Sequence, residues 1–353
     1  MKKFYLKVIA FVLILTLLLL GAQEVLHYHW PEDTYTRYID YSHNAEDTID
    51  VFVFGTSEMY SAFSPVTTYL AEGITAYNFS LQNRSAMAVY YQLMYALKYQ
   101  TPKAVVCDFV CLFDNMLPSE SETIYRRCVD TMPDFAIKSQ LISEICKSDP
   151  NESPLSWYFP IFRYHSMWNE LTEDDFKEDN VYDSNYPAMK KGCNLAYAPF
   201  DGEPYDITED LWMAADEPNE LGDFSVSYYD KIIEECNKRG IKVICMLTPK
   251  VCDAAVYAVN APVMEQYCRE RGVEFINYCD YDRINEMGLS MYTDYSDSAH
   301  LNAIGAVKFS RYMASDLKAM CDFPDRRLDE NAAPAWNAAG AELSEYITGL
   351  TSE

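Results

Sequence analysis

Three side chains, far apart in the chain, could together activate an oxygen nucleophile: Ser57 in Gly55-Thr56-Ser57, and Asp297 and His300 in Asp297-Ser298-Ala299-His300-Leu301-Asn302. A serine hydroxyl is a weak nucleophile that needs a base in hydrogen-bond contact, and that base needs a carboxylate to hold its tautomer. Asp297 and His300 stand three residues apart, so in a turn or first helical coil both side chains can point into one pocket. Each motif also has a plainer reading. Gly-x-Ser is common in turns and its serine often caps a helix, while Asp297 or Asn302 would serve equally as an N-terminal cap for the segment that follows. Their order and their placement, after a first strand and before a last helix, favour the triad.

The elements that must position these residues follow from the pattern. Val51-Phe52-Val53-Phe54 is a continuous apolar run of the kind buried on both faces of a sheet, and Gly55 lets the chain turn sharply after it. Ser57 would then sit at the C-terminal edge of the sheet, where open α/β folds bind ligands. Further strands are expected at 75–79, 104–109, 242–247 and 274–278, the fourth closed by Thr248-Pro249. Helices are expected at 85–99, 225–239, 254–271 and 303–318. That alternation predicts a mostly parallel sheet covered on both sides, an α/β/α sandwich, in a domain of about 240 residues around one core.

Val53-Phe54-Gly55-Thr56-Ser57-Glu58-Met59-Tyr60-Ser61-Ala62-Phe63-Ser64-Pro65, the stretch from Tyr77-Asn78-Phe79-Ser80 through Lys103-Ala104-Val105-Val106, and the motif from Asp297 to Asn302 resemble the SGNH/GDSL hydrolase superfamily. The closer resemblance is to its membrane-anchored cell-envelope branch, which includes the D-alanyl transfer protein of teichoic acid modification and acetyltransferases of exported polysaccharides. The resemblance implies a flavodoxin-like sheet, a Ser57, His300 and Asp297 triad, and transfer of an acetyl or D-alanyl group beside a multi-pass membrane acyltransferase. It implies an oxyanion hole from the backbone N–H of Ser57 or Glu58, that of Ser80, and the Asn78 amide. Two positions depart from the family pattern. Ser80 stands where the second block has glycine, and Val106-Cys107-Asp108-Phe109-Val110 lacks the third block's asparagine, a role left to Asn78 or Asn83. Loss of one such donor typically costs about a hundredfold to a thousandfold in rate.

Only five histidines exist, at 27, 29, 43, 165 and 300, which narrows the choice of base. His165 lies in an aromatic stretch and reads as a packed or substrate-facing residue. His27 and His29 have no nearby cysteine or further histidine to complete a tetrahedral set, and no other spacing suggests a metal, so neither metal nor cofactor is expected. Eleven cysteines are an odd number without a Cys-x-x-Cys pair, and several lie inside apolar strands as small buried hydrophobes. A net charge of -26 argues against nucleic acid, whose phosphates need a basic patch. An anionic polymer remains compatible if Arg84, Lys98, Lys103, Arg126 and Arg127 make the cleft locally basic.

Lys2, Lys3 and Lys7 precede 15 uncharged, leucine-rich residues at 8–22, a signal anchor or a signal peptide that keeps the N-terminus in the cytoplasm. Leu20 is bulky for a cleavage site, and Tyr28 and Trp30 suit a membrane interface, so residues 1–30 are expected to anchor an extracytoplasmic domain over 31–321. Between about 115 and 222 the alternation gives way to Pro, Tyr, Trp and acidic residues, including Trp157-Tyr158-Phe159-Pro160 and Asn185-Tyr186-Pro187. This reads as an inserted cap whose rings mostly pack its own small core, with a few free to line a cleft. The acidic tail, 322–353, is expected to be poorly ordered or one loose helix. Two rival functions share these features: a secreted carbohydrate esterase that works without a membrane partner, and a non-catalytic adaptor that holds a polymer or a membrane acyltransferase.

Overall fold

A computed structural model describes residues 2–26, 30, 32–173, 187–213 and 217–351. His27 and His29, and Asn185-Tyr186, lie outside these residues. In chain order the elements are α1 (Lys2–Val25), α2 (Glu32–Ser42), β1 (Val51–Phe54), α3 (Ser57–Ala62), α4 (Pro65–Glu72), β2 (Ala76–Asn78), α5 (Ala86–Ala96) and β3 (Ala104–Asp108). They continue with α6 (Glu122–Thr131), α7 (Phe135–Ser148), α8 (Pro154–Tyr158), α9 (Ile161–Tyr164), α10 (Asp223–Lys238), β4 (Lys242–Leu247), α11 (Ala254–Glu270), β5 (Glu274–Asn277), α12 (Tyr281–Glu286), α13 (Ala303–Met320) and α14 (Ala333–Leu350).

The five strands form one parallel sheet in the order β2-β1-β3-β4-β5. Val53 pairs with Asn78 on one side and Val106 on the other, and Asp108 pairs with Met246. Strand order reverses between β1 and β3, the kind of switch point that opens a crevice beyond the C-terminal strand ends. Because side chains alternate across a strand, β1 feeds two layers. Val51 and Val53 join a core with Ile74, Val106, Ile244, Phe309, Met313 and Leu317, beneath α13. Phe52 and Phe54 face the other way, where Phe79 stacks on Phe54 at 5.4 Å and Tyr41 meets Phe52 edge-on at 6.1 Å. This is the helix-covered parallel sheet that the alternation predicts, and β4 matches its expected bounds.

Three regions differ from the sequence expectation. The residues after Gly55 make two short helices, α3 and α4, the second capped by the Ser64 hydroxyl accepting from Thr67 N–H, with Pro65 at its first turn. The tail is a docked helix. Trp336, 1% exposed, lies 5.4 Å from the Tyr69 ring, Asn337 Oδ1 accepts from the Tyr69 hydroxyl at 2.9 Å, and Gly340 and Leu343 are buried beside it. The expected insertion is divided: residues Met1–Tyr35 and Pro118–Tyr182 form one compact unit, and Thr36–Leu117 with Asp183–Glu353 form the second.

The first unit holds α1, whose stretch Lys3–Gln23 is long and apolar enough to cross a membrane, and α6 to α9. Its packing centres on Trp157, fully buried, with the Arg126 guanidinium 3.8 Å over the ring and Glu152 accepting from the indole N–H at 2.7 Å. His165 is exposed, with Nδ1 3.2 Å from the Phe162 carbonyl. All eleven cysteines are free thiols, eight of them buried.

Candidate active site

Ser57 is the first residue of α3, one turn beyond the end of β1. That placement depends on Gly55: a Cβ there would lie 2.6 Å from Met59 Cβ and 3.0 Å from Asp108 Cβ, closer than side chains pack. The absence of a side chain lets β1, α3 and the end of β3 converge. α3 is six residues long, and its N-cap Thr56 makes no side-chain cap bond.

His300 and Asp297 lie in a turn closed by the Ser296 N–H donating to the His300 carbonyl at 2.8 Å, with Tyr295 and Leu301 bridged antiparallel at its base. The helix cap and the carboxylate have separate jobs. Asn302 caps α13, its Oδ1 accepting from the N–H groups of Ile304 at 2.9 Å and Gly305 at 3.2 Å, while its amide donates to the Thr293 carbonyl. Asp297 Oδ1 accepts from the backbone N–H of Ala299 at 2.7 Å and of His300 at 2.9 Å. The imidazole continues this line: Nδ1 is 2.9 Å from Asp297 Oδ2, and Nε2 is 2.9 Å from Ser57 Oγ. With Nδ1–H donated to the carboxylate, Nε2 carries the lone pair that accepts the serine proton. All three side chains are half-buried. Burial pushes the Asp297 carboxyl up, but the N–H groups of Ala299 and His300 and the imidazole outweigh it and hold the group below its ordinary range.

The expected oxyanion donors fall into two groups. Asn78 is fully buried and its amide is spent on the carbonyls of Met59 and Phe63, both at 3.1 Å, where it ties down the C-terminal end of α3. Its Oδ1 accepts the Ser80 N–H at 3.1 Å, so neither donor reaches a substrate without breaking these bonds. The Ser80 hydroxyl is buried with no hydrogen-bond partner among the described residues. By contrast, Asn83 is exposed in the loop after β2, in a left-handed conformation at φ 44° that asparagine tolerates. The Glu58 N–H lies in the first turn of α3, where no intrahelical acceptor exists.

Beside Ser57 is a buried ionic cluster that sequence patterns did not single out. Lys250, in the loop after β4, is fully buried, and its Nζ lies 2.6 Å from Glu58 Oε2. The Thr248 hydroxyl is 3.3 Å from the same oxygen and 3.4 Å from Asp108 Oδ2. Burial and then the Glu58 charge push Asp108 up to about 7, against the pull of Lys250, the Val110 N–H and Thr248. Burial disfavours the Lys250 ammonium, yet Glu58, Tyr257 and Asp108 more than offset this and raise its pKa. Asp108 is the last residue of β3.

Two of the basic residues expected to line a cleft, Arg84 and Lys103, are engaged with backbone carbonyls of the second unit. Arg84 is 2% exposed and donates to the Phe79 carbonyl, and Lys103 precedes β3, at the sheet edge opposite Ser57, where it donates to the Asp322 carbonyl at 2.7 Å. Among the described residues no group of three or more His, Cys, Asp or Glu could hold a metal.

No protein-family model matches the chain, and no curated protein matches it. Among solved structures, a GDSL-like lipase from Bacteroides thetaiotaomicron is similar at a TM-score of 0.36 and 11% identity, over 82% of this chain and 100% of the lipase.

Proposed function

We propose that this chain is an extracytoplasmic serine acyltransferase or esterase, moving an acetyl or D-alanyl group to or from a cell-envelope polysaccharide or teichoic acid. One observation carries the reading: His300 Nε2 lies 2.9 Å from Ser57 Oγ while Nδ1 lies 2.9 Å from Asp297. In the first step the Ser57 proton passes to His300 Nε2 as Oγ attacks the carbonyl carbon of an ester or thioester. Asp297 stabilises the imidazolium so formed. The oxyanion rests on backbone N–H groups of the first turn of α3, that of Glu58 foremost, with the Asn83 amide as the side-chain donor. Collapse expels the alcohol or thiol, which takes the proton back from Nε2 and leaves an acyl group on Ser57. A sugar or polyol hydroxyl, or water, then gives its proton to His300 and attacks the acyl-enzyme, restoring free Ser57. A multi-pass membrane acyltransferase fits as donor-side partner, with α1 as a single-pass anchor beside it.

A catalytically weak adaptor that holds the polymer or the membrane partner is the second reading. The engagement of the Asn78 amide and the Ser80 N–H in structural bonds favours it. Turnover of a short-chain aryl acetate by the full chain, compared with Ser57→Ala, separates the two. A serine-dependent burst supports the acyltransferase or esterase, and equal inertness of both proteins supports the adaptor.

A further inference from the structure

The loop after β4 touches both halves of the Ser57, His300 and Asp297 line. From it, Lys250 Nζ reaches Glu58 Oε2 at 2.6 Å, in the residue next to Ser57. The next two residues turn the other way: the N–H groups of Val251 and Cys252 both donate to the Ser298 carbonyl at 2.9 Å, inside the turn that carries Asp297 and His300. The loop is itself fixed, since the Cys279 thiol donates to the Lys250 carbonyl at 3.3 Å and the ammonium sits 3.8 Å from the centre of the Tyr257 ring.

Lys250 is 0% exposed, and lysine is almost never fully buried unless paired. A buried ion pair contributes little net stability, because desolvating both charges offsets their attraction. Its geometric effect is larger. Ser57 and His300 are 243 residues apart and share no element. The six-residue helix bearing Ser57 has no side-chain cap at its start, although Asn78 holds its end. The Lys250 ammonium reaches that start through Glu58, the second residue of the helix.

We infer that Lys250 is a positioning residue: by gripping Glu58 while its neighbours grip Ser298, it sets the Ser57 to His300 distance. The inference rests on the triad proposed above. Loss of the tether lets the first turn of α3 drift, and a displacement of about 1 Å at a reacting atom is enough to cost about a hundredfold in rate.

The test uses the full chain in detergent with an aryl acetate, comparing wild type, Lys250→Met, the double variant Glu58→Gln with Lys250→Met, and Ser57→Ala. Lys250→Met strands the Glu58 charge and is expected to lower the melting temperature. The double variant leaves no stranded Glu58 charge, so it reports on the tether even if the single variant fails to fold. Expected is a kcat about a hundredfold below wild type in both Lys250 variants, with KM within about twofold, and recovery of the melting temperature but not of kcat in the double variant. A double variant whose kcat recovers along with its stability overturns the inference, because Lys250 would then only balance charge. Ser57→Ala tells the two failures apart: turnover equal to wild type contradicts the triad itself, whereas an inactive Ser57→Ala beside wild-type kcat in the Lys250 variants contradicts only the tether.

Discussion

Two aspartates at the same edge of the sheet, Asp297 and Asp108, are pushed in opposite directions. Asp297 is half-exposed, accepts two backbone N–H groups and faces an imidazole, and stays below its ordinary range. Asp108 is 2% exposed, looks toward the Glu58 carboxylate, and rises to about 7. The residue type is the same, and the surroundings set the charge. A carboxylate that must stay ionised to orient a base sits where donors and water reach it. One that helps lock a scaffold can sit in the dry layer beneath, sharing a single cation with Glu58. Chemistry and support are thus separated by one residue at Ser57 and Glu58.

Neutralising each aspartate sharpens the contrast. Asp297→Asn is expected to lower kcat by about ten-thousandfold, through the wrong imidazole tautomer, with little change in melting temperature. Steady-state kinetics and a thermal melt read both, and a loss of stability without loss of rate would break the comparison. Trp336→Ala, remote from both aspartates, is the control: it should cost about 3–5 kcal/mol of stability by emptying the α14 seat while leaving the kcat of the folded fraction unchanged. Gly55→Ala joins the two regions, because its methyl group would press on both Met59 and Asp108. We expect about 1–3 kcal/mol of destabilisation in denaturant unfolding, together with reduced kcat.

The smallest effect is on pH dependence. The unfolded Asp108 carboxyl titrates near 3.8 and the folded one near 7, so between these values the folded state holds a proton that the unfolded state has lost. Stability from this group is therefore greatest below about pH 4 and declines as pH rises to about 7, by at most about 1.4 kcal/mol per pH unit. Asp108→Asn should flatten that slope in unfolding measured across this window, with kcat changed far less than in Asp297→Asn.

The sheet was legible because its strands are dense apolar runs, and a strand buried on both faces leaves that mark most plainly, as Val51-Phe52-Val53-Phe54 and Val243-Ile244-Cys245-Met246 do. The turn motif was legible through the rarity of histidine and its spacing to Asp297. α3 escaped because six residues are too few to show a helical period. α8 and α9 escaped because helices of five and four residues show no period and are held by particular contacts, such as Arg126 over Trp157, that no pattern encodes. α14 left a signal that alanine and acidic composition obscured: Trp336, Gly340 and Leu343 follow the spacing of one helix face. Lys250 left none, since one lysine after Thr248-Pro249 reads as a solvated loop, and its partner Glu58 is 192 residues away.

The central claim is that Ser57 is the acyl-accepting nucleophile. Intact-mass spectrometry of the full chain after brief exposure to a short-chain aryl acetate tests it most directly, run beside Ser57→Ala. The account predicts a mass gain of one acetyl group on the wild-type protein and none on the variant. An unmodified wild type, or an equal gain on both proteins, would contradict it.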